Sequence, residues 1–311
     1  MEVRKAVIPA AGFGTRMLPA AKAVPKEMLP VLDRPTIQYV VEEAAAAGAD
    51  DVLLVTSRDK RAVEDHFDRS AELEQRLAAG GKAALLASVE ALAATVKVHS
   101  VRQPRQRGLG DAVNQARRHV GGEPFLCRLG DAVFSTPRGT LASNPSGNPV
   151  DSVPLPARQL VDAHREFGTT VIGLEEVPLE KVSRYGVVGG TVVRDGVLRL
   201  ATLVEKPSPQ DAPSRLAIAA RYVLTPAIFD CLDATPPGKG GEVQLTDALK
   251  LLLSREPVHG VVLRATRHDI GNPVDWLKTN LVFAARDEAT WSALRPLIES
   301  LLGDNDDDKR A

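Results

Sequence analysis

The sequence predicts an α/β fold in which a mostly parallel, wound sheet is flanked by helices. Three observations support this prediction. Apolar runs alternate with amphipathic runs of helical spacing through the first half of the chain. A glycine-rich turn follows the first apolar run directly, and polar side chains follow two later runs where strands should end. At 311 residues, with 44% hydrophobic and 25% charged residues, the chain suffices for one large α/β domain.

In the first half, strands are predicted over short stretches rich in apolar residues, and helices where apolar residues recur every three or four positions. The predicted strands span residues 3–10, 52–56, 96–101 and 124–129. The predicted helices span residues 36–47, 60–67, 72–94 (with a break at Gly80-Gly81) and 109–120. This alternation is typical of parallel sheets, because parallel neighbours need a crossover connection.

The composition changes at residues 135–157, which contain five prolines and few apolar residues and are predicted to form an exposed loop. Such a loop could be a lid or have no role in function. The strands predicted after it span residues 169–174, 185–193, 197–204, 217–224 and 258–265. The later helices span residues 157–166, 226–232, 244–254, 275–286 and 290–302. The predicted organisation is one domain over residues 1–286, a C-terminal helix over 287–303 and a disordered acidic tail over 304–311.

The glycine-rich turn after the first strand is suited to hold phosphates. Gly12 and Gly14 allow backbone N–H groups to approach an anion, and Arg16, Lys22 and Lys26 can neutralise its charge. A dinucleotide fingerprint is excluded because Met17 stands where its third glycine is required, and no Walker-type Gly-Lys-Ser/Thr occurs. The turn therefore predicts a phosphate site of another class.

Charge and cysteine usage exclude several other classes of function. The net charge of −1 gives no electrostatic case for a nucleic acid or a membrane partner, so a small anionic ligand is favoured. No apolar run is long enough to span a bilayer, and no signal peptide is evident. Cys127 and Cys231 form no disulfide framework and are expected to be buried, which favours a cytoplasmic protein.

Three candidate features follow predicted strands. The glycine-rich turn follows Ala10, Gln103 follows the strand at 96–101, and Asp131 follows the strand at 124–129. Ligands of wound sheets bind beyond the carboxyl ends of the strands. The sequence therefore predicts a single site at this edge of the sheet.

Ordered blocks of residues extend along nearly the whole chain. They are Pro25-Lys26-Glu27-Met28-Leu29-Pro30, Gly108-Leu109-Gly110, Gly130-Asp131, Tyr185-Gly186, Glu205-Lys206-Pro207, Thr235-Pro236-Pro237-Gly238, Gln244-Leu245-Thr246-Asp247 and His268-Asp269-Ile270-Gly271-Asn272. In type and order they resemble the bacterial UTP–glucose-1-phosphate uridylyltransferases, a branch of the sugar nucleotidyltransferases. The resemblance implies a Rossmann-like nucleotidyltransferase fold and a reaction in which glucose 1-phosphate and UTP give UDP-glucose and pyrophosphate.

The resemblance also implies roles for individual residues. The implied catalytic residues are Arg16, Lys26 and Lys206. The implied nucleotide-binding residues are Ala11, Gly12, Gly14, Thr15, Gln103 and Gly108. The implied sugar-binding residues are Gly186, Glu205 and Lys206, and the implied Mg²⁺ ligands are Asp131 and Asp269. Relatives assemble as dimers or tetramers, so a homodimer or homotetramer is the family expectation.

Two alternatives remain open at this point. The first keeps the fold and changes the nucleotide or sugar, for instance dTTP in place of UTP, because an apolar pocket separates bases differing by one methyl only modestly. The second is a non-catalytic regulatory protein that binds a nucleotide or a partner enzyme. Such a protein would be expected to lose the phosphate-clamping arginine, and Arg16 is present.

Overall fold

The computed structural model describes residues 2–137, 141–143, 149–151 and 155–307. The strands in these ranges are β1 Lys5–Pro9, β2 Pro30–Val31, β3 Arg34–Pro35, β4 Asp51–Thr56, β5 Lys97–Arg102, β6 Phe125–Arg128, β7 Ala132–Ser135, β8 Leu141–Ser143, β9 Pro149–Asp151, β10 Thr170–Glu176, β11 Gly186–Arg194, β12 Val197–Glu205, β13 Leu216–Leu224, β14 Val258–Val262 and β15 Thr266–Asp269.

The α-helices in the same ranges flank these strands. They are α1 Thr36–Ala46, α2 Arg61–Asp65, α3 Ala71–Ala79, α4 Ala83–Thr95, α5 Leu109–Asn114, α6 Arg117–Val120, α7 Pro156–Phe167, α8 Ala227–Ala234, α9 Leu245–Leu253, α10 Pro273–Ala284 and α11 Glu288–Asp307. Short 3₁₀ helices span Thr15–Met17, Ala20–Lys22, Lys26–Met28, Leu179–Arg184 and Lys239–Gly241.

Nine of the described strands form a central mixed sheet in the order β10-β14-β12-β11-β13-β6-β1-β4-β5. The four strands from the first half, β6, β1, β4 and β5, pair in parallel, and most pairings among the later strands are antiparallel. The predicted α/β class with a central sheet is confirmed. Because β1, β4, β5 and β6 run in the same direction, the segments that follow them meet at one edge of the sheet.

Both faces of the sheet are covered, which explains the continuous apolar runs of the parallel strands. In β1, Val7 packs into one core with α5, α8 and α9, whereas its neighbour Ile8 packs into a second core with α1 and α7. Successive residues of a strand face opposite sides, so an apolar run of this kind serves two layers at once. Cys127 and Cys231 are both buried, as the sequence predicted.

Two predicted elements differ from the structure in the first half and at the C-terminus. The helix predicted over 109–120 divides into α5 and α6, and the Asn114 side chain at the break bonds to Asp233 and Arg117. α11 continues past Gly303 to Asp307, so residues 304–307 are helical where a tail was predicted. A single glycine costs a helix about 1 kcal/mol and does not by itself end it. Residues 308–311 lie outside the described residues.

The predicted loop over 135–157 is shorter in the structure, because the residues at both of its ends belong to a strand and a helix. Ser135 is buried at the end of β7, and α7 begins at Pro156, a first helical position where proline is favoured. Between them, β8 and β9 pair in antiparallel fashion, and residues 138–140, 144–148 and 152–154 lie outside the described residues.

The strand predicted over 258–265 is shorter in the structure. β14 ends at Val262, and a separate strand β15, which was not predicted, begins at Thr266 and pairs with β7. Local pattern does not reveal such a long-range pairing.

Candidate active site

The glycine-rich turn after β1 packs on the stem of Lys26. Gly14 adopts a left-handed conformation with φ 66° and ψ 29°, immediately before the 3₁₀ helix Thr15–Met17. A Cβ atom at Gly14 would lie 3.3 Å from Cγ and Cδ of Lys26. Glycine therefore satisfies both the backbone conformation and the close approach at this position.

Lys26 and Asp131 form a close ion pair at the carboxyl ends of β1 and β6. Nζ of Lys26 lies 2.5 Å from Oδ2 of Asp131. Burial works against both charges, but the pair outweighs it, so that the pKa of Asp131 lies below its ordinary value and the pKa of Lys26 lies above. Both groups are therefore charged at neutral pH. The Lys26 and Asp131 side chains remain 13% and 22% exposed, so the ion pair is partly accessible to solvent.

Arg16 and Asp269 lie beside this pair. A Cβ atom placed at Gly271 would be 2.8 Å from both Nη2 of Arg16 and Oδ1 of Asp269, so these two groups converge on the Gly271 backbone. The charge of Arg16 also contributes to the lowered pKa of Asp131. The structure thus brings together Arg16, Lys26, Asp131 and Asp269, and we name these four residues the anion clamp.

The β7–β15 ladder fixes the two carboxylates of the anion clamp relative to each other. Asp269 pairs with Ala132, the residue after Asp131, and the N–H of Ile270 donates to the Asp131 carbonyl at 3.1 Å. The N–H of Gly271 donates to Oδ1 of Asp269 at 2.7 Å. Residues 138 positions apart in the chain are therefore held as neighbours by backbone hydrogen bonds.

A buried ion pair beneath the turn was not predicted from the sequence. Nζ of Lys60 donates to Oε2 of Glu27 at 2.6 Å, and both side chains are buried. Burial raises the pKa of Glu27, although Lys60 and Lys26 oppose the shift. The pair anchors the residue next to Lys26 to the start of α2. The available signal was the position of Glu27 inside the block that carries Lys26.

The predicted nucleotide-binding residues lie along the adjacent edge. Nε2 of Gln106 donates to the Ala11 carbonyl at 2.7 Å, which ties the segment after β5 to the glycine-rich turn. Gln103 is buried, and its Nε2 donates to the Gly108 carbonyl at 3.2 Å and to Oδ2 of Asp111 at 2.7 Å. Gly12 and Thr15 are exposed on the same turn. The roles of Gln106 and Asp111 were missed by the sequence analysis.

The predicted sugar-binding residues also come together. Gly186 pairs with Glu205 between β11 and β12, and a Cβ atom at Gly186 would lie 3.2 Å from Oε2 of Glu205. Lys206 follows with φ 47°, and its N–H donates to the Tyr185 carbonyl at 2.9 Å. Its Nζ lies 3.5 Å from Oε1 of Glu205, and the side chain is 60% exposed. The Lys206 ammonium therefore extends from a fixed backbone position and lies beside the Glu205 carboxylate.

Arg267 connects the sugar-side group to the anion clamp and was not predicted. It lies on β15, two residues before Asp269; its Nε donates to Oε1 of Glu175 at 2.5 Å, and its guanidinium lies 4.8 Å from the ring centroid of Tyr185. Burial raises the pKa of Glu175, and the nearby charge of Asp269 adds to that shift. No local pattern marks Arg267, because β15 itself depends on a distant partner strand.

Asp131 and Asp269 fit a magnesium ion. Within the described ranges, no group of three or more His, Cys, Asp or Glu side chains is arranged to hold a metal. Magnesium does not require such a cage, since it commonly binds one or two carboxylates together with substrate phosphates and water. Asp131 and Asp269, beside the cations Arg16 and Lys26, offer carboxylate oxygens for such a donor set. Asp131 would exchange its Lys26 partner for the ion.

Comparisons with known proteins show the family to which this chain belongs. A family model described as nucleotidyl transferase matches residues 5–285, and the chain belongs to the nucleotidyl transferase family, as the sequence predicted. It is 45% identical over 301 residues to the UTP–glucose-1-phosphate uridylyltransferase YngB of Bacillus subtilis strain 168, covering 97% of this chain and 96% of that protein.

Two solved structures resemble the fold closely. UTP-bound UGPase from Acinetobacter baumannii superimposes with a TM-score of 0.84 at 34% identity, covering 96% of this chain and 99% of that one. A UDP-glucose pyrophosphorylase complexed with UDP-glucose gives a TM-score of 0.79 at 35% identity, covering 92% of this chain and all (100%) of that one. Among the helices in the described ranges, none has the length and hydropathy needed to cross a bilayer.

Proposed function

We propose that this protein transfers a uridylyl group from UTP to glucose 1-phosphate, giving UDP-glucose and pyrophosphate. The observation that carries the proposal is the convergence of Arg16, Lys26, Asp131 and Asp269 in one cluster, between Gln103 and the Gly186–Glu205–Lys206 group. The close relatives named for this activity, including the UTP-bound and UDP-glucose-bound structures, support the same assignment.

The chemistry is governed by charge. A phosphate oxygen of glucose 1-phosphate attacks the α-phosphorus of UTP, a new P–O bond forms, and the bond to pyrophosphate breaks. Two polyanions must approach each other, so positioning and neutralisation carry most of the catalysis. The Arg16 guanidinium would hold the departing β- and γ-phosphates, because it offers two parallel donors and does not deprotonate. Lys26 would neutralise the same region from the opposite side of the turn.

Asp131 and Asp269 would hold Mg²⁺, which when bound neutralises phosphate charge and orients the triphosphate. Lys26 compensates the Asp131 carboxylate. Exchange of that partner would release the Lys26 ammonium toward the phosphates. The same carboxylate would thus control both the ion and the position of the neighbouring cation.

The sugar phosphate would bind at the junction of β11 and β12. Gly186 lacks a side chain where the sugar would approach, and Glu205 would accept hydrogen bonds from sugar hydroxyls. Lys206 would bind the phosphate of glucose 1-phosphate and offset charge near the α-phosphorus. Its fixed backbone and exposed side chain support this role.

Pyrophosphate release by the purified protein tests the proposal. With Mg²⁺ and glucose 1-phosphate, UTP should be the preferred substrate in a panel that includes dTTP, CTP and ATP; glucose 1-phosphate should likewise be preferred among sugar 1-phosphates. Preference for dTTP would support the thymidylyl alternative. Absence of turnover with every pair would favour a non-catalytic nucleotide-binding protein.

The sugar side has a separate test. Lys206→Ala should raise the KM for glucose 1-phosphate by about tenfold or more while changing the KM for UTP much less, because one charge-assisted contact contributes about 1.5–3 kcal/mol. Lys250→Ala, at an exposed position of α9, is the matched control. Equal increases in both KM values would contradict the assignment of Lys206.

Two further expectations belong to this proposal. The two cysteines are free and buried, which supports a reducing compartment and therefore a cytoplasmic enzyme. The family expectation of a homodimer or homotetramer stands as a prediction that light scattering on the purified protein tests.

A further inference from the structure

We propose that Asp111 determines base specificity by positioning the side-chain amide of Gln103. In this proposal Asp111 does not touch the nucleotide. It holds the Gln103 amide so that only the oxygen faces the base, which selects bases that carry an N–H at N3. The inference rests on the proposed function, because it requires that this pocket bind the uracil of UTP.

The Gln103 amide has both of its hydrogens engaged within the protein. Nε2 donates to Oδ2 of Asp111 at 2.7 Å and to the Gly108 carbonyl at 3.2 Å. Both partners are acceptors, so a flipped amide would place Oε1 against a carboxylate and a carbonyl. The amide therefore has one favoured orientation. None of the described residues donates a hydrogen bond to Oε1 of Gln103. Among these residues, this oxygen is also not one of the fully buried polar atoms that lack a partner.

The frame around the amide is rigid. The backbone of Gln103 is held by a 2.9 Å hydrogen bond from its N–H to the Thr56 carbonyl at the end of β4. Gly108 has φ 93°, and a Cβ atom there would lie 2.7 Å from the Val243 carbonyl, so this acceptor cannot shift easily. Asp111 lies in the first turn of α5, which has no side-chain cap at its N-cap residue. Its carboxylate accepts a hydrogen bond from the Gln103 amide.

Such an oxygen discriminates between pyrimidines by their N3 atoms. Uracil and thymine carry an N3–H, which Oε1 can accept. Cytosine presents a lone pair at N3, and two opposed acceptors repel each other. A site that leaves a buried polar group unpaired rejects the wrong ligand far more strongly than an apolar pocket does. The 5-methyl group of thymine is remote from N3, so this device does not separate UTP from dTTP.

Removing the Asp111 carboxylate would release the amide. With Asp111→Ala, Nε2 keeps only the longer bond to the Gly108 carbonyl, and the flipped amide could donate to N3 of cytosine. Asp111→Asn retains an acceptor oxygen at the same place and should preserve the orientation. Asp233→Ala is a matched control, because it removes a carboxylate that bonds to Asn114 and Arg117, next to the same helix, without touching Gln103.

The test combines equilibrium binding of UTP, dTTP and CTP by calorimetry with kcat/KM for the same three nucleotides, using purified full-length protein. We expect Asp111→Ala to lower the UTP-to-CTP preference by about tenfold or more in both measurements, since one matched base contact discriminates by about 1–3 kcal/mol. The UTP-to-dTTP ratio should stay within about twofold in the same variant. Asp111→Asn and Asp233→Ala should keep all ratios near wild type.

The contrary outcomes are distinct. An equal loss for all three nucleotides in Asp111→Ala would show a merely structural role, and an unchanged UTP-to-CTP ratio would also overturn the proposal. If Asp111→Ala fails to fold, Asp111→Ser takes its place. Its shorter side chain cannot reach the Gln103 amide and should lower the UTP-to-CTP preference in the same way, so an unchanged ratio in Asp111→Ser would also overturn the proposal. Wild-type protein that binds UTP selectively without turnover would refute the proposed function alone, whereas equal binding of UTP and CTP would refute this inference.

Discussion

Two of the clusters in the described part of the chain in which arginine or lysine meets carboxylates have different surroundings. The anion clamp lies at the edge of the sheet, with Lys26 and Asp131 partly exposed. The second cluster, which we name the core triad, consists of Arg128, Glu43 and Arg221 and is buried between α1 and the sheet. Cationic and anionic side chains therefore meet in both clusters, in contact with solvent in the anion clamp and away from it in the core triad.

The core triad is closed to solvent, since Arg128 and Arg221 are fully buried and Glu43 is nearly so. Glu43 contacts both arginines and accepts from the Ala157 N–H at 3.0 Å. Burial alone would raise the pKa of Glu43, but the two arginines outweigh it and lower the value, so the carboxylate stays ionised. Arg221 donates to the Ala132 carbonyl at 2.7 Å, directly behind Asp131. The triad thus supports the backbone on which one carboxylate of the clamp is mounted.

The two clusters differ in solvent exposure more than in residue type. A charge cluster closed to solvent stabilises one packing of the core, because the loss of any partner leaves a buried charge. An open cluster can exchange one partner for another at low cost. Mutations in the two clusters should therefore separate stability from activity.

The largest expected effect is on stability, from Glu43→Ala. This change leaves two buried guanidinium groups without their carboxylate, and the free energy of unfolding should fall by about 3–5 kcal/mol. Urea denaturation monitored by circular dichroism measures it. Glu166→Ala, which removes a half-exposed surface pair with Arg194, should change the value by less than about 1 kcal/mol. A loss this small for Glu43→Ala would remove the distinction between the two clusters.

The next effect is on catalysis, from Arg16→Ala and Asp131→Asn. Each should lower kcat by about 10² to 10³, the usual cost of one transition-state contact, and each should lower the unfolding free energy by less than Glu43→Ala does, because the anion clamp is partly exposed. Steady-state kinetics and urea denaturation on the same preparations test both statements. Arg76→Ala and Asp162→Asn, at exposed helical positions, are the matched controls. Near-normal turnover in either site variant would refute its role.

The sequence predicted the parallel half of the sheet well because its signal is local. Strands β1, β4 and β6 are buried on both faces and therefore contain continuous apolar runs, and the glycine-rich turn follows β1 directly. Arg16, Lys26 and Asp131 could be grouped because parallel strands end at one edge. The anion clamp was thus largely predictable from residue order.

The antiparallel additions were not predictable in the same way. β7 and β15 stabilise each other across more than 130 residues, and β15 reads Thr-Arg-His-Asp, which carries no apolar signal. Arg267 and the Gln103–Asp111 contact depend on such distant or precise packing. Glu43 lies within the predicted helix over 36–47, and nothing in its local pattern shows that it compensates two arginines from different strands.

The smallest expected effect is a dependence of folding stability on pH, which tests how the β7–β15 ladder is held together. His268 on β15 bonds through Nε2 to Ser135 Oγ of β7 at 2.7 Å. Burial, with a contribution from the Arg286 charge, lowers the pKa of His268 to about 4. The unfolded chain, with an ordinary histidine pKa near 6.5, binds this proton first. Stability from neutral His268 is therefore fully present above about pH 6.5 and is lost as the pH falls toward 4.

Because the ring is only partly buried, solvent screening reduces the effect to about 1 kcal/mol between pH 7 and pH 5. Thermal unfolding of the wild type across that range should show the decline, and His268→Gln should flatten it. His99→Gln, at a position more than half exposed (53%), provides the control. If His268→Gln keeps the full wild-type slope, another group dominates the acid sensitivity. The ladder that mounts Asp269 would then be independent of protonation, and acid would act on the two clusters through their carboxylates alone.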